Sequence, residues 1–185
     1  VELERPTGVV VTGDAAWITQ SELNRVAKVD LASNAVVGTI EVGQRPDTLA
    51  SDGEALWVSN RGAGTLSRID LATEQVTDTI QVGVAPAGIA IDGDRVWVID
   101  NLDNTLALVD RVSREVVNSV EVGARPLGLV VLDDSVWVTL SQGRAVAVGE
   151  RQQQRSQRRG GAAGGGVFVG ADERREHPRR QRRRA

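Results

Sequence analysis

The side chains able to do chemistry are few in this chain, and where they are plentiful they recur at a fixed interval. The only histidine is His177, and cysteine is absent, so no Ser/His, Cys/His or histidine-metal constellation can be assembled within the first 148 residues. Carboxylates are abundant, but Asp30, Asp70 and Asp110 stand 40 residues apart. A catalytic acid has no reason to recur at that spacing. A turn-forming aspartate does, and Ser33, Thr73 and Ser113 follow these three at the distance at which a side chain closes a turn on the backbone. Asp52, Asp92, Asp94, Asp133 and Asp134 could be scanned as calcium ligands, but Asp92-Gly93-Asp94 is too short for a calcium loop and reads as a hairpin turn. No metal site and no cofactor are expected.

One set of residues could hold a ligand. Arg5, Arg45 and Arg125 each precede a proline, with Ala85 breaking the series, and Gln20, Asn60 and Asp100 end the stretches that carry a tryptophan. A ring of guanidinium and amide groups suits a small anionic ligand or an acidic segment of a partner protein. Solvated loop side chains are the plainer alternative, since arginine before proline suits an exposed, extended residue.

The elements that would position these residues follow from the same interval. Pro6, Pro46, Pro86 and Pro126 form one column and Trp17, Trp57, Trp97 and Trp137 another, while Gly43, Gly83 and Gly123 keep a third. Such a chain is an array of one supersecondary unit that buries its apolar faces by stacking on its neighbours. Each unit reads as four short strands. The first follows the proline, a turn such as Asp52-Gly53 or Asp92-Gly93 leads to the tryptophan strand, the third ends at the repeated aspartate, and the fourth runs through Val36 to Val42 and its equivalents. Four strands in about 40 residues is the blade of a β-propeller. The fold class is therefore all-β, with units at 6–45, 46–85, 86–125 and an incomplete 126–148.

The tryptophans sit mid-strand between apolar neighbours, which marks them as the repeated core anchor. An aromatic platform for sugars or bases is the alternative. Trp97 is expected between the second and third blades. Thr39, Thr79 and Ser119 read as locally bonded strand hydroxyls, not nucleophiles.

Trp57-Val58-Ser59-Asn60, Ser67-Arg68-Ile69-Asp70 and Thr79-Ile80-Gln81-Val82-Gly83, with a proline shortly after, resemble the YVTN propeller repeat of bacterial YncE-like proteins, with tryptophan in place of the family's tyrosine. The resemblance covers residues 5 to 148. It implies a non-catalytic ligand- or protein-binding scaffold or sensor domain, and an extracytoplasmic setting. Fold alone does not assign function, and the alternative is part of an enzyme resembling streptogramin (virginiamycin B) lyases or propeller lactonases. Those enzymes rely on histidine, or on a metal held by Glu, Asp and Asn. The repeat array has no histidine and no convergent set of that kind.

Charge divides the chain. Residues 1 to 150 carry 11 basic and 22 acidic side chains, a net of −11, while residues 151 to 185 carry 11 arginines and 3 acids, a net of +8. The acidic array offers no electrostatic footprint for nucleic acid. Phase is lost at Gly149, so residues 149 to 185 are expected to be a disordered Arg/Gly-rich tail, either frameshift-derived or a basic arm for nucleic acid or an acidic surface. No signal peptide and no apolar run long enough to span a bilayer is present. Fewer than four complete blades are expected to leave an open arc whose flanks and strand edges favour self-association. A closed four-bladed ring completed by Val1 to Arg5 is the alternative.

Overall fold

The computed structural model describes residues 1–132, 135–142 and 146–150, the last five as backbone only. The first blade is β1 (Pro6–Thr12), β2 (Ala15–Gln20), β3 (Arg25–Asp30) and β4 (Ala35–Glu41), hydrogen-bonded in that order and antiparallel throughout. The second is β5 (Pro46–Ser51), β6 (Ala55–Asn60), β7 (Thr65–Asp70) and β8 (Gln75–Gln81). The third is β9 (Pro86–Asp92), β10 (Arg95–Asp100), β11 (Thr105–Asp110) and β12 (Glu115–Glu121). The fourth holds β13 (Pro126–Leu132), β14 (Ser135–Leu140) and β15 (Val146–Glu150).

The turn residues act as the sequence suggests. Asp70 Oδ1 accepts the amides of Ala72 and Thr73 at 3.0 and 2.8 Å, and Asp30 and Asp110 accept those of Ser33 and Ser113 at 2.7 and 2.6 Å. The next residue in each turn, Asn34, Glu74 or Arg114, takes φ of 53°, 55° or 62° and reverses the chain into the outer strand. These bonds favour the ionised carboxylates and lower their pKa values, chiefly through the Ser33 hydroxyl at Asp30 and through the amides of Thr73 and Ser113 at Asp70 and Asp110.

A second repeated device ties the blades together. The first strand slips register on the second between Pro6 and Val9, and between Pro46 and Leu49. A hydroxyl from the second strand fills the gap. Thr19 Oγ1 accepts the Gly8 amide and donates to Asp47 O of the next blade at 2.8 Å, while Ser59 Oγ accepts the Thr48 amide and donates to Ala87 O at 2.7 Å.

The core lies between blades, not within them. The tryptophan face of one blade meets the aliphatic face of the next: Trp17 and Val26 meet Leu49, Leu56 and Val58, and Trp57 and Leu66 meet Ile89, Val96 and Val98. Trp97 and Leu106 meet Val136 and Val138, so Trp97 lies between the third and fourth blades and not between the second and third. The reason is the stacking direction, which the repeat pattern leaves open because both faces of a blade are apolar. Trp17, Trp57 and Trp97 are 2%, 0% and 5% exposed, whereas Trp137, on a flank that no described blade covers, is 41% exposed.

First strands lie side by side, β1 on β5, β5 on β9 and β9 on β13, while the outer strands barely touch. No comparable packing joins β13 to β1 among the described residues, and the sheets form an open arc. Val1 to Arg5 contribute no strand to the fourth blade. In that blade β15 continues past the expected limit of 148, pairing Gly149 with Val136 and Glu150 with Ser135, because a strand ladder needs only backbone groups. The rest of the expected tail, residues 151–185, lies outside the described residues.

Candidate functional site

The loops entering the first strands and the loops after the second strands meet at one end of the arc. Four equivalent hydrogen bonds join them: Ser21 N to Arg5 O at 3.2 Å, Arg61 N to Arg45 O at 3.0 Å, Asn101 N to Ala85 O at 3.1 Å, and Ser141 N to Arg125 O at 2.9 Å. The structure thus brings the arginine loops and the tryptophan-strand ends together.

The arginines are exposed, but their backbone is not extended as a residue before proline is expected to be. Arg5, Arg45 and Arg125 have φ of 48°, 51° and 51°, in the left-handed region. At Arg45 and Arg125 a hydrogen bond from the preceding blade secures this conformation, which Arg5 shares without one. Asn24 Oδ1 accepts Arg45 N at 2.9 Å, and Asn104 Oδ1 accepts Arg125 N at 2.7 Å. Ala85, which breaks the arginine series, is absent from the left-handed residues, and Gly64 takes the place of the asparagine. There Asp100 Oδ2 accepts the amides of Val84 and Ala85 at 2.6 and 2.7 Å instead.

Gln20, Asn60 and Asp100 lie beneath this surface, each no more than 1% exposed. Gln20 donates to Glu4 O at 3.1 Å and accepts from Arg25 Nε at 2.8 Å. Asn60 Nδ2 donates to Ser67 Oγ at 2.8 Å, and its Oδ1 is buried without a protein partner. Asp100 Oδ1 takes the amides of Leu102 and Asp103, so this one carboxylate receives four backbone N–H groups. The glycine column makes room for these side chains. A Cβ on Gly43 would lie 2.6 Å from Asn60 Cγ, and one on Gly83 would lie 2.1 Å from Asp100 Oδ2.

What faces solvent is therefore the arginines. Between the first two blades they border a cleft of about 610 Å³ lined by Arg5, Thr7, Ser21, Glu22, Asn24, Gln44 and Arg45. Arg5 Nε lies 3.4 Å from Glu22 Oε1, a pair exposed on both sides and worth little in stability. The guanidinium groups of Arg45 and Arg125 engage no described residue, which leaves two planar donor forks free for a carboxylate or phosphate. Gly62 packs against the Arg45 stem, where a Cβ would come within 3.1 Å of Cγ.

At the other end of the blades is an arrangement that the sequence pattern did not expose. Asp52, with its side chain 2% exposed, accepts from Trp57 Nε1 at 2.9 Å and from Ala55 N at 2.7 Å, and lies 3.3 Å from Arg111 of the next blade. Burial alone would raise its pKa, but the hydrogen bonds from Trp57, Ala55 and Glu54 and the Arg111 charge outweigh it and hold the pKa below the usual value. The equivalent in the first blade is neutral, with Trp17 Nε1 donating to Thr12 Oγ1 at 2.8 Å. Among the described residues no group of three or more His, Cys, Asp or Glu side chains could hold a metal ion.

Residues 48–136 match the model of the YNCE-like β-propeller family. A search of the curated proteins gave no match. Among solved structures, hydrazine synthase of Kuenenia stuttgartiensis is 23% identical, with a TM-score of 0.71 over 80% of this chain and 46% of its own. Virginiamycin B lyase of Staphylococcus aureus is 17% identical, with a TM-score of 0.68 over 77% of this chain and 51% of its own. The computationally designed protein Ika4 is 13% identical, with a TM-score of 0.72 over 81% of this chain and 93% of its own. The chain thus spans about half the length of the two natural proteins it resembles, and at these identities the likeness is one of fold.

Proposed function

We propose that this chain, a β-propeller of YNCE-like type, is a non-catalytic scaffold or sensor domain whose loop end binds an anionic small molecule or an acidic segment of a partner protein. One observation carries the reading. Arg45 and Arg125 are held in left-handed backbone by an asparagine of the preceding blade while their guanidinium groups engage no described residue. Left-handed backbone at a non-glycine residue costs about 1–3 kcal/mol and concentrates at functional sites. Arg5 and Arg45 also share the cleft between the first two blades, where two guanidinium groups and the Gln44 and Asn24 amides supply donors for a bidentate anion.

Gln20, Asn60 and Asp100 support this site from below by fixing its loops. The enzymatic alternative gains no support from the described residues, and the chain's single histidine, His177, lies outside them. The family resemblance favours an extracytoplasmic setting, and among the described residues no helix is long and apolar enough to cross a membrane. Titration calorimetry with a hexaglutamate peptide and with inorganic phosphate tests the site. The wild-type chain should bind one of them, and the Arg45→Glu, Arg125→Glu double variant should stay folded and lose that binding. Unchanged binding by the double variant would remove these arginines from the site.

A further inference from the structure

The three blade boundaries of this arc share one apolar pattern, two of them add a hydroxyl latch, and each open flank carries one half of such a boundary. On the fourth blade Trp137 and Val130 are 41% and 57% exposed, at the positions where Trp57 and Ala50 meet the following blade. On the first blade Val9 and Val11 are 65% and 57% exposed, at the positions that Ile89 and Ile91 fill against the Trp57 face. The polar latch is split in the same way. Thr139 corresponds to Thr19 and Ser59, whose hydroxyls donate to the next blade's first strand at Asp47 O and Ala87 O. Thr139 is exposed; its hydroxyl accepts the Gly128 amide at 3.1 Å, as Thr19 accepts that of Gly8, but as a donor it reaches only Gly128 O at a long 3.4 Å. The carbonyl equivalent to Asp47 O and Ala87 O is that of Thr7, on the free face of β1.

We propose that two copies of this 185-residue chain pair head to tail, the Trp137 flank of each on the Val9 flank of the other. Thr139 of each copy then donates to the Thr7 carbonyl of its partner. The occupant is another copy because the flank that fits Trp137 and Val130 is the one that already fits their equivalents three times within the chain, and the flank that takes the Thr139 bond does so twice, Ile99 standing at that position in the third blade. Two such contacts close the pair into eight blades, within the range at which propellers form rings. The interface is heterologous, and closure keeps it from growing into a filament.

Light scattering coupled to gel filtration at micromolar concentration should give about twice the 19.7 kDa chain mass. Trp137→Asp alone and the Val9→Asp, Val11→Asp double variant alone should each run near 19.7 kDa, with circular dichroism melts showing that both stay folded. An equimolar mixture of the two should return to twice that mass, because one of its two interfaces is wild type on both sides. If Trp137→Asp fails to fold, Val130→Asp on the same flank repeats the test. A monomeric wild type overturns the proposal, including one that dimerises only after residues 151–185 are removed. So does a Val9→Asp, Val11→Asp variant that stays dimeric, which would mean that Trp137 flanks pair with each other. Open-ended species larger than a dimer, or a mixture that stays monomeric, overturn it as well.

Discussion

Asn24 Oδ1 accepts the backbone amide of Arg45 at 2.9 Å, joining residues that belong to neighbouring blades. Asn24 is itself left-handed, with φ of 53°, so two strained residues hold each other at the edge of the arginine cleft. Asn24→Ala should lower stability by about 1 kcal/mol, the net value of one such bond. It should also weaken binding of an acidic ligand, because the loop that carries Arg45 then loses its tie to the first blade. Arg45→Gly is the counterpart: it relieves the strain and should match or raise wild-type stability in urea titrations, while binding is lost. A large loss of stability in Arg45→Gly would show that the arginine stem, not the guanidinium, is what the position requires.

The tryptophan column should give unequal results. Trp97→Ala empties a site walled by Leu106, Val136 and Val138 and should cost about 3–5 kcal/mol. Trp137→Ala, starting from a residue 41% exposed, should cost about 1 kcal/mol or less in the isolated chain at submicromolar concentration. Equal losses in thermal melts would show that Trp137 is covered in solution.

Gly83→Ala tests why the glycine column exists. The new methyl would lie 2.1 Å from Asp100 Oδ2, against a carboxylate locked by four amides, so the loop must shift. A loss of about 1–3 kcal/mol is expected from such overpacking. Gly53→Ala is the control for backbone conformation alone, because nothing lies within 4 Å of its Cβ position although its φ is 92°.

Acid should unfold the protein through its turn aspartates. Asp30, Asp52, Asp70 and Asp110 all have folded pKa values below the usual 3.8. Between the two values the unfolded chain binds more protons than the folded one, so stability rises with pH in that window. Melting temperature should therefore be flat above about pH 5 and fall below about pH 4. Asp52→Asn should make that fall shallower. A fall already complete at about pH 6 would point to other groups.

Repetition makes the blades legible in the sequence. The proline, tryptophan and aspartate columns mark strand entry, core and turn because each does the same local job in every unit. What the sequence hides depends on contacts between units. The left-handed backbone of Arg45 and Arg125 contradicts the ordinary preference before proline, and it is tied down by asparagines 21 residues upstream. The burial of Asn60 and Asp100 depends on the absence of side chains at Gly43 and Gly83 in the previous blade. The position of Trp97 requires the direction of stacking. For the site, the shared end of the loops is readable from strand order, but which side chains reach the solvent is not. The substitution of Ala85 for arginine does carry a clue, since Gly64 and Asp100 change with it.

The glycine and aspartate partnerships straddle a proline, while the asparagine partnership lies wholly before one, so the heritable cassette of this array is offset from the 40-residue repeat seen in the sequence. Excising residues 46–85 at the proline columns would leave the amide of residue 45 facing two competing acceptors, Asn24 and Asp100, since Asp100 binds the equivalent amide of Ala85. A recombination event that breaks the chain between the second and third strands of a blade would instead carry Asn24 with Arg45, or Gly64 with Ala85 and Asp100, as intact sets. Shuffling among such genes should therefore leave crossover scars in the loops between the second and third strands, away from the prolines.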